Sequence, residues 1–282
     1  MAAFGVGLVP PVDAQRAFAQ RKLLLPSFNW DNVYGAEHAA GVAVAGITKQ
    51  QALQDVATVL KDMIDSGNDV ATAKKALREV LKKNGYWGDV EVTNQATGEQ
   101  RISKFNESRL SLILDTNARS ALSTGRWQRG LDGGLPLVGY FSKGDSLVRP
   151  LHQLWDGTVL PKDHPFWDGH TPPCGYRCRC HFRFLSERDV ADLARLRGPS
   201  KPIQRTPPAN AGQLVPFDRR LPGGQTEQVL VPVGVDPGFG HSRAASRLAG
   251  IVPRPLDDIM RLVTPADHLP DPVTKAGQLL WS

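Results

Sequence analysis

His164-Pro165-Phe166-Trp167-Asp168, followed by Pro172-Pro173-Cys174-Gly175-Tyr176-Arg177-Cys178-Arg179-Cys180-His181, is the stretch on which the reading of this chain turns. It holds all three cysteines of the protein and three of its seven histidines. Soft ligands, rigid prolines and large rings packed this densely predict a small knotted substructure rather than a plain helix or strand. Cys178 and Cys180 are alternate residues, so an extended backbone puts both thiols on one face. Cys174 lies one tight turn upstream, and Pro172-Pro173 stiffens the approach.

Two readings fit this tract. In the first it is a structural zinc site, because zinc takes four N or S ligands in a tetrahedron and fastens folds that lack a large core. His152, Cys178 and Cys180 are then three ligands, and Cys174, His164, His170 or Asp163 the fourth. In the second the thiols are buried small hydrophobes and the histidines hydrogen-bond the backbone. A third, catalytic arrangement would be a metal- or Cys-dependent hydrolase centred on His152, Cys178 and Cys180. His152 and Asp156 stand at i,i+4, but no H-E-x-x-H helix accompanies them, and clustered cysteines favour structure over turnover. Trp155, Phe166 and Trp167 are expected to be local core over this cluster. Arg149, Arg177, Arg179 and Arg183 make a basic stripe, either a contact for DNA phosphates or an acidic partner surface, or simply solvated and carboxylate-paired side chains.

Towards the N-terminus the pattern becomes helical. Pro136 to Ser142 reads as a strand, and Lys143-Gly144-Asp145 as a turn. A helix is expected from about Lys104 to Trp127, with Leu110, Ile113, Leu114, Asn117, Ala121 and Leu122 on one side. Asp115 and Arg119 are spaced for an ion pair on it. Residues 86–102 form a loop or short hairpin. Two antiparallel helices precede that. The first is capped by Thr48 and runs to about Asp65, with Leu53, Val56, Leu60, Met63 and Ile64 in one stripe. The second is capped by Asp69, with Val70, Ala73, Leu77, Val80 and Leu81 on one face. Gly67 and Gly85 end them. Residues 1–47, with Pro10-Pro11 and Pro26, read as an arm carrying one short helix within 12–25.

Towards the C-terminus Ser186 opens a short helix, with Asp189 at the capping-box position. Residues 198–223 read as a Pro-rich linker, Val229 to Val235 as a strand, and Pro255 to Val263 as a last helix before a tail ending at Trp281. The expected fold class is therefore α+β. A helical N-terminal half leads into a strand-and-loop Cys/His module, with extended Pro/Gly-rich arms at both ends. The divisions fall at 1–47, 48–185 (helices 48–127, module 136–185) and 186–282.

Bulk properties narrow the function classes. The 282 residues are 41% hydrophobic, enough for a real core, and carry a net charge of +6. That mild excess suits a phosphate-bearing or acidic partner without demanding one. Three clustered cysteines are not a spread disulfide framework, which points to folding in a reducing compartment. No secretory leader and no apolar run long enough to span a bilayer is read.

The same residues resemble the phage Mu F-like head morphogenesis proteins. The resemblance is carried by Arg149-Pro150-Leu151-His152, Asp156-Gly157, Asp163-His164-Pro165-Phe166-Trp167-Asp168, Pro172-Pro173 and Cys178-Arg179-Cys180. Asp115-Thr116-Asn117 with Gly125-Arg126, and Val231-Pro232-Val233-Gly234-Val235-Asp236-Pro237-Gly238-Phe239, are similar to further family segments; the whole covers roughly residues 48–245. Two departures stand out: Cys174 replaces a residue more often Asn or another polar type, and Gly240-His241-Ser242-Arg243 replaces Tyr-Asn-Pro-Gly. The resemblance implies a minor capsid protein of a tailed phage or prophage, without enzymatic activity. It would be assembled in the host cytoplasm and retained in the virion near the portal vertex or inner capsid surface. Implied partners are portal protein, major capsid protein and packaged DNA, with no membrane and no small-molecule substrate.

Overall fold

The computed structural model describes residues 12–35, 37–67, 69–221 and 224–240. The helix expected over 255–263, the tail to Trp281 and residues 241–243 lie outside them, as do residues 1–11. Helix α1 (Val12–Ala19) opens the described chain. Strands β1 (Leu23–Leu24) and β2 (Gly41–Val42), the latter following α2 (Glu37–Ala40), pair in parallel. The described residues 12–35 and 37–47 are thus packed against the rest rather than extended as an arm. Phe18, Leu24, Leu25, Phe28, Val42, Val44 and Ile47 are all buried. Arg21 donates to Asn117 Oδ1 (3.0 Å) and Ser120 Oγ (2.7 Å). These apolar residues follow neither a helical nor a strand period, so periodicity does not reveal that long-range contacts bury them.

The two expected helices form an antiparallel pair, α3 (Gln50–Ser66) and α4 (Val70–Lys83). Leu53, Val56, Leu60, Met63 and Ile64 are buried along α3, and Ala73, Leu77 and Leu81 along α4; Val70, in its first turn, is exposed. Gly67 ends α3 at φ 64°, and Asp69 caps α4 by accepting from Thr72 N. Those bonds hold the Asp69 carboxyl below the usual carboxylate range. Lys49, not Thr48, occupies the first cap without a side-chain bond; the Thr48 and Lys49 amides donate instead to Tyr86 Oη, each at 3.3 Å.

Residues 86–102 resolve into most of an antiparallel hairpin, β3 (Gly88–Thr93) and β4 (Gln100–Phe105). Because Lys104 and Phe105 complete β4, helix α5 (Glu107–Asp132) begins after the expected point, with Asn106 Oδ1 accepting from Arg109 N at 3.0 Å. The expected Asp115–Arg119 pair closes at 2.6 Å. A β-carbon at Gly125 would strike the Asp13 carbonyl, so glycine here lets α1 lie against α5. α5 joins two cores. Its Leu110, Leu114 and Ala121 belong to the mainly aliphatic core of α1, α3 and α4, and its Trp127 to the mainly aromatic core of the following module.

In that module β5 (Leu137–Phe141), buried at every position, is the central strand of an antiparallel sheet ordered β6 (Val159–Pro161), β5, β7 (His181–Leu185). Short helices α6 (Pro150–Leu154) and α7 (Phe166–His170) lie in the connections. Helix α8 (Glu187–Arg197) carries the complete Ser186/Asp189 capping box. The region expected as a linker contains β8 (Leu214–Arg220), paired over seven residues with β9 (Thr226–Pro232). Arg219 anchors this hairpin, donating to Asp31 O (2.7 Å) and Asn32 O (3.0 Å) with its guanidinium over Tyr34. The fold is α+β, and among the described residues no helix is long and apolar enough to cross a membrane.

Candidate metal centre

Three elements bring the site together. α6 starts with Pro150 at its first position, where the missing N–H costs nothing, and presents His152 inward. Cys178 and Cys180 arrive on the segment entering β7. A turn closes it, with Cys178 N donating to Gly175 O at 3.2 Å and Arg177 in the left-handed region at φ 59°. Cys174 follows the cis Pro172–Pro173 bond, and Ser123 of α5 donates to the Pro172 carbonyl. β5 supplies Tyr140 beneath, opposite Phe182 of β7.

The His152 Nδ1 and the Cys178 and Cys180 sulfurs lie within 4.8 Å of one another. Nδ1 stands 3.8 Å from Cys178 Sγ and 3.7 Å from Cys180 Sγ. On the other side of the ring Nε2 lies 3.0 Å from Gly234 O. A carbonyl can only accept, so Nε2 carries a proton, and in the neutral ring Nδ1 then turns a lone pair toward both sulfurs. This is the tautomer a metal-ligating histidine needs, with its second nitrogen held by a backbone acceptor. His152 is 2% exposed and Cys178 6%. The neighbouring Cys174 and Cys180 thiols pull the Cys178 thiol well down; burial pushes Cys174 up, and Cys178 beside it raises Cys180. Cys178 is thus the sulfur its surroundings favour as thiolate.

The other expected ligands are placed differently. Cys174 Sγ is buried, within hydrogen-bonding reach of Cys178, and donates to His170 O at 3.3 Å. His164 Nδ1 accepts from Phe166 N at 3.1 Å, a local cap, and is not among the converging atoms. Asp163 is exposed. His170 stacks on Phe166 with ring centroids 4.4 Å apart and its Nδ1 on Phe166 O at 3.0 Å; burial lowers its pKa to about 4, so it is neutral near pH 7. Asp156 is committed to Ser142 N (2.7 Å) and Arg197 (2.5 Å) rather than to the thiols.

Of the basic stripe, Arg149 forms a two-point pair with Asp236 (2.6 and 2.8 Å) and Arg179 one with Asp145 (2.7 and 2.5 Å). Arg177 is exposed and donates to Ser108 Oγ at 2.8 Å, and Arg183 is exposed on β7. Trp155, Phe166 and Trp167 are buried over the cluster as expected. Trp155 stacks on His152 at 4.9 Å.

The residues that spacing did not single out are Tyr140, Gly234 and Asp236. Residues 231–239 form a strap across the cluster. Gly234 holds His152, Asp236 N donates to Cys174 O at 2.9 Å, the Asp236 carboxylate takes Arg149 and Tyr176 N (3.0 Å), and Phe239 meets Tyr176 edge-on at 4.9 Å. Gly234 sits at φ 85°, and a β-carbon there would lie 2.8 Å from the Trp155 ring. The signal for the strap was its glycine- and proline-punctuated family segment, which carries no ligand type of its own.

Fold and site together define an α+β module closed around a buried thiol–imidazole cluster. Residues 54–183 match the family described as Phage Mu protein F like protein. The chain is similar to the putative capsid assembly protein F of Escherichia phage Mu, 26% identical over 187 residues, covering 66% of this chain and 42% of that protein. It is also similar to the Mu-like prophage FluMu F protein of Haemophilus influenzae, 28% identical over 166 residues, covering 58% and 39%. The chain therefore spans about two fifths of the length of these curated relatives. No solved structure matches it.

Proposed function

We propose that this protein is a minor head component that takes part in capsid assembly of a tailed phage or prophage, without catalysing a reaction. The observation that carries this reading is the match of residues 54–183 to the Phage Mu protein F like family, with a relative named for capsid assembly. The buried cluster supports it. His152 and Cys178 are withdrawn from solvent and Asp156 is tied to Arg197, so the module resembles a fastener more than a hydrolytic centre. Zinc held by His152, Cys178 and Cys180 would be structural and would stiffen a docking surface for portal or major capsid protein. Packaged DNA is a weaker partner in this reading. Arg149 and Arg179 are already neutralised by carboxylates, which leaves Arg177 and Arg183 as the accessible cations of the stripe.

The test is co-expression with the portal and major capsid proteins of the same phage or prophage. Co-purification of this chain with portal rings or proheads, and misassembled heads when it is deleted, are the expected results. Normal, infectious heads in its absence would overturn the reading. Salt-dependent retention on DNA-cellulose, lost in Arg177→Ala/Arg183→Ala, would add the DNA contact, and salt-independent or absent retention would remove it.

A further inference from the structure

The β8–β9 hairpin is a sheet of two strands, and its two edges are not alike. In an antiparallel ladder, pairs that exchange both backbone bonds alternate with pairs whose N–H and C=O groups point outward. Two bonds flanking the strands fix which pairs are which. Val233 N donates to Gln213 O at 3.0 Å, and Leu221 N to Gln225 O at 2.7 Å. Val215, Phe217 and Arg219 therefore exchange bonds with Val231, Val229 and Glu227, and the residues between them turn their backbone groups out. Arg220 agrees with this, since its N–H leaves the hairpin to reach Asp31 Oδ2 at 2.9 Å.

On the β8 side the outward row is interrupted. Pro216 has no N–H to offer, and that of Arg220 is taken by Asp31. On the β9 side the row is intact. Thr226, Gln228 and Leu230 each present an N–H and a C=O, and among the described residues none of these groups is bonded. All three residues are exposed, Leu230 by 64%. The body lies against the other set of side chains: Val231 and Arg219 are buried, and Phe217 meets Trp30 at 5.5 Å. Folded proteins blunt bare strand edges with proline, lysine or a covering element, because an open edge recruits another strand. β9 carries neither proline nor lysine between Thr226 and Val231.

We infer that the β9 edge is where two copies of this chain join, antiparallel, into one continuous sheet. Gln228 pairs with the partner's Gln228, and Thr226 with the partner's Leu230, each pair exchanging both bonds. This register uses every open position. It cannot slide toward Pro232, which has no N–H and lies so close to α7 that a β-carbon at Gly169 would stand 2.8 Å from its ring. Charge argues for a second copy as the occupant. A residue on a two-fold axis meets its own image, so a charge there would repel. Gln228 is neutral and both donor and acceptor, so its image can satisfy it. Its Nε2 also donates to Asp218 Oδ1 at 3.3 Å. Glu227, the one charge on β9, lies on the opposite face 3.4 Å from Arg219, so two compensated edges come together. A two-stranded ribbon is marginal by itself, and pairing gives each copy the further strands it lacks.

The test uses the full chain. Sedimentation velocity over a concentration series should show a reversible monomer–dimer equilibrium. Hydrogen exchange of the Gln228 and Leu230 amides should slow as the dimer forms. Gln228→Pro removes the axial donor from both copies without touching a bond of the hairpin. It should weaken the dimer about 30-fold, the worth of two backbone hydrogen bonds. Asp218→Pro, the same change on the other edge, should leave the dimer nearly unchanged. Gln228→Lys and Gln228→Glu should each self-associate more weakly, and the two variants mixed should pair more tightly than either alone. That arm stands even where proline unsettles the strand. A chain that stays monomeric throughout the series would overturn the pairing. So would a dimer indifferent to all the Gln228 variants, which would put the contact elsewhere. Amides protected in the monomer at every concentration would overturn it too, because another part of the chain would then already lie on the edge.

Discussion

Along α3 the buried side chains include Leu53, Val56, Leu60 and Met63; at the same depth in the module stand Trp155, Tyr140, Trp167, His152 and Cys178. The first set is aliphatic and interchangeable within volume, and its stabilisation follows apolar area removed from water. The second set carries ring nitrogens, a phenol and thiols, each with a direction to satisfy. The module meets those directions with long-range contacts: Gly234 to His152, Asp236 to Arg149, Asn210 to Trp155. One layer of this molecule is held by burial, the other by placement.

On the zinc reading proposed above, metal removal is the sharpest way to break that contrast. Structural zinc contributes ~10–16 kcal/mol of apparent binding energy in small zinc-finger peptides, more than any single side chain here supplies. Chelation, or Cys178→Ser, should abolish the near-ultraviolet signal of the module's tryptophans and expose it to protease. Far-ultraviolet helicity from α3, α4 and α5 should persist. Simultaneous loss of both signals would show that the two layers fold as one unit.

Truncating one large core residue in each layer comes next. Trp155→Ala should cost ~3–5 kcal/mol and Leu60→Ala ~2–5 kcal/mol in chemical denaturation, both being fully buried. The energies overlap, and the metal separates them. Trp155 stacks on His152 and backs Gly234, so its loss should also weaken metal binding, which Leu60→Ala should leave unchanged. Equal effects on metal binding would contradict a division of labour.

This contrast also explains what could be read in advance. The stripe of α3, the Asp69 cap and the Ser186/Asp189 box obey local rules, so their residues announce them. Cys178 and Cys180 were identifiable because soft ligands are rare and were crowded into one tract, and His152 because it is one of the few imidazoles within reach of it. Tyr140 looked like any strand aromatic, since its meaning depends on sulfurs more than thirty residues away. Asp236 looked like a turn residue until Arg149, 87 positions distant, came beside it. The segment up to residue 47 was hidden for the same reason: Arg21 finds its partners on α5.

Smaller substitutions sharpen the comparison. Asp236→Asn removes the charge from a two-point pair whose side chains are about a third exposed (31% and 39%). Screening reduces that loss to about 1 kcal/mol, while the strap should become a preferred site of limited proteolysis. Asn106→Ala deletes the α5 cap and should cost about 1 kcal/mol as well. The two should be near equal in a melt and opposite in proteolysis, with the strap cut in the first variant only.

The smallest expected effect lies in the helical layer and depends on pH. The Asn84 side chain donates to Asp55 Oδ2 at 3.0 Å, and this bond is the leading reason that the Asp55 carboxyl titrates below its ordinary 3.8. A carboxyl depressed on folding adds stability above its unfolded value, and that stability is lost as pH falls through the folded one. The Asp55 side chain is 18% exposed and its charge faces the solvated Lys83, so only about a few tenths of a kcal/mol are at stake. Asn84→Ala should therefore lower the denaturation midpoint slightly at pH 6 and converge with the unmodified protein below pH ~3. A gap that stays constant down to pH ~2 would mean that Asn84 acts through its other bond, to Val80 O at the end of α4, and not through the carboxylate.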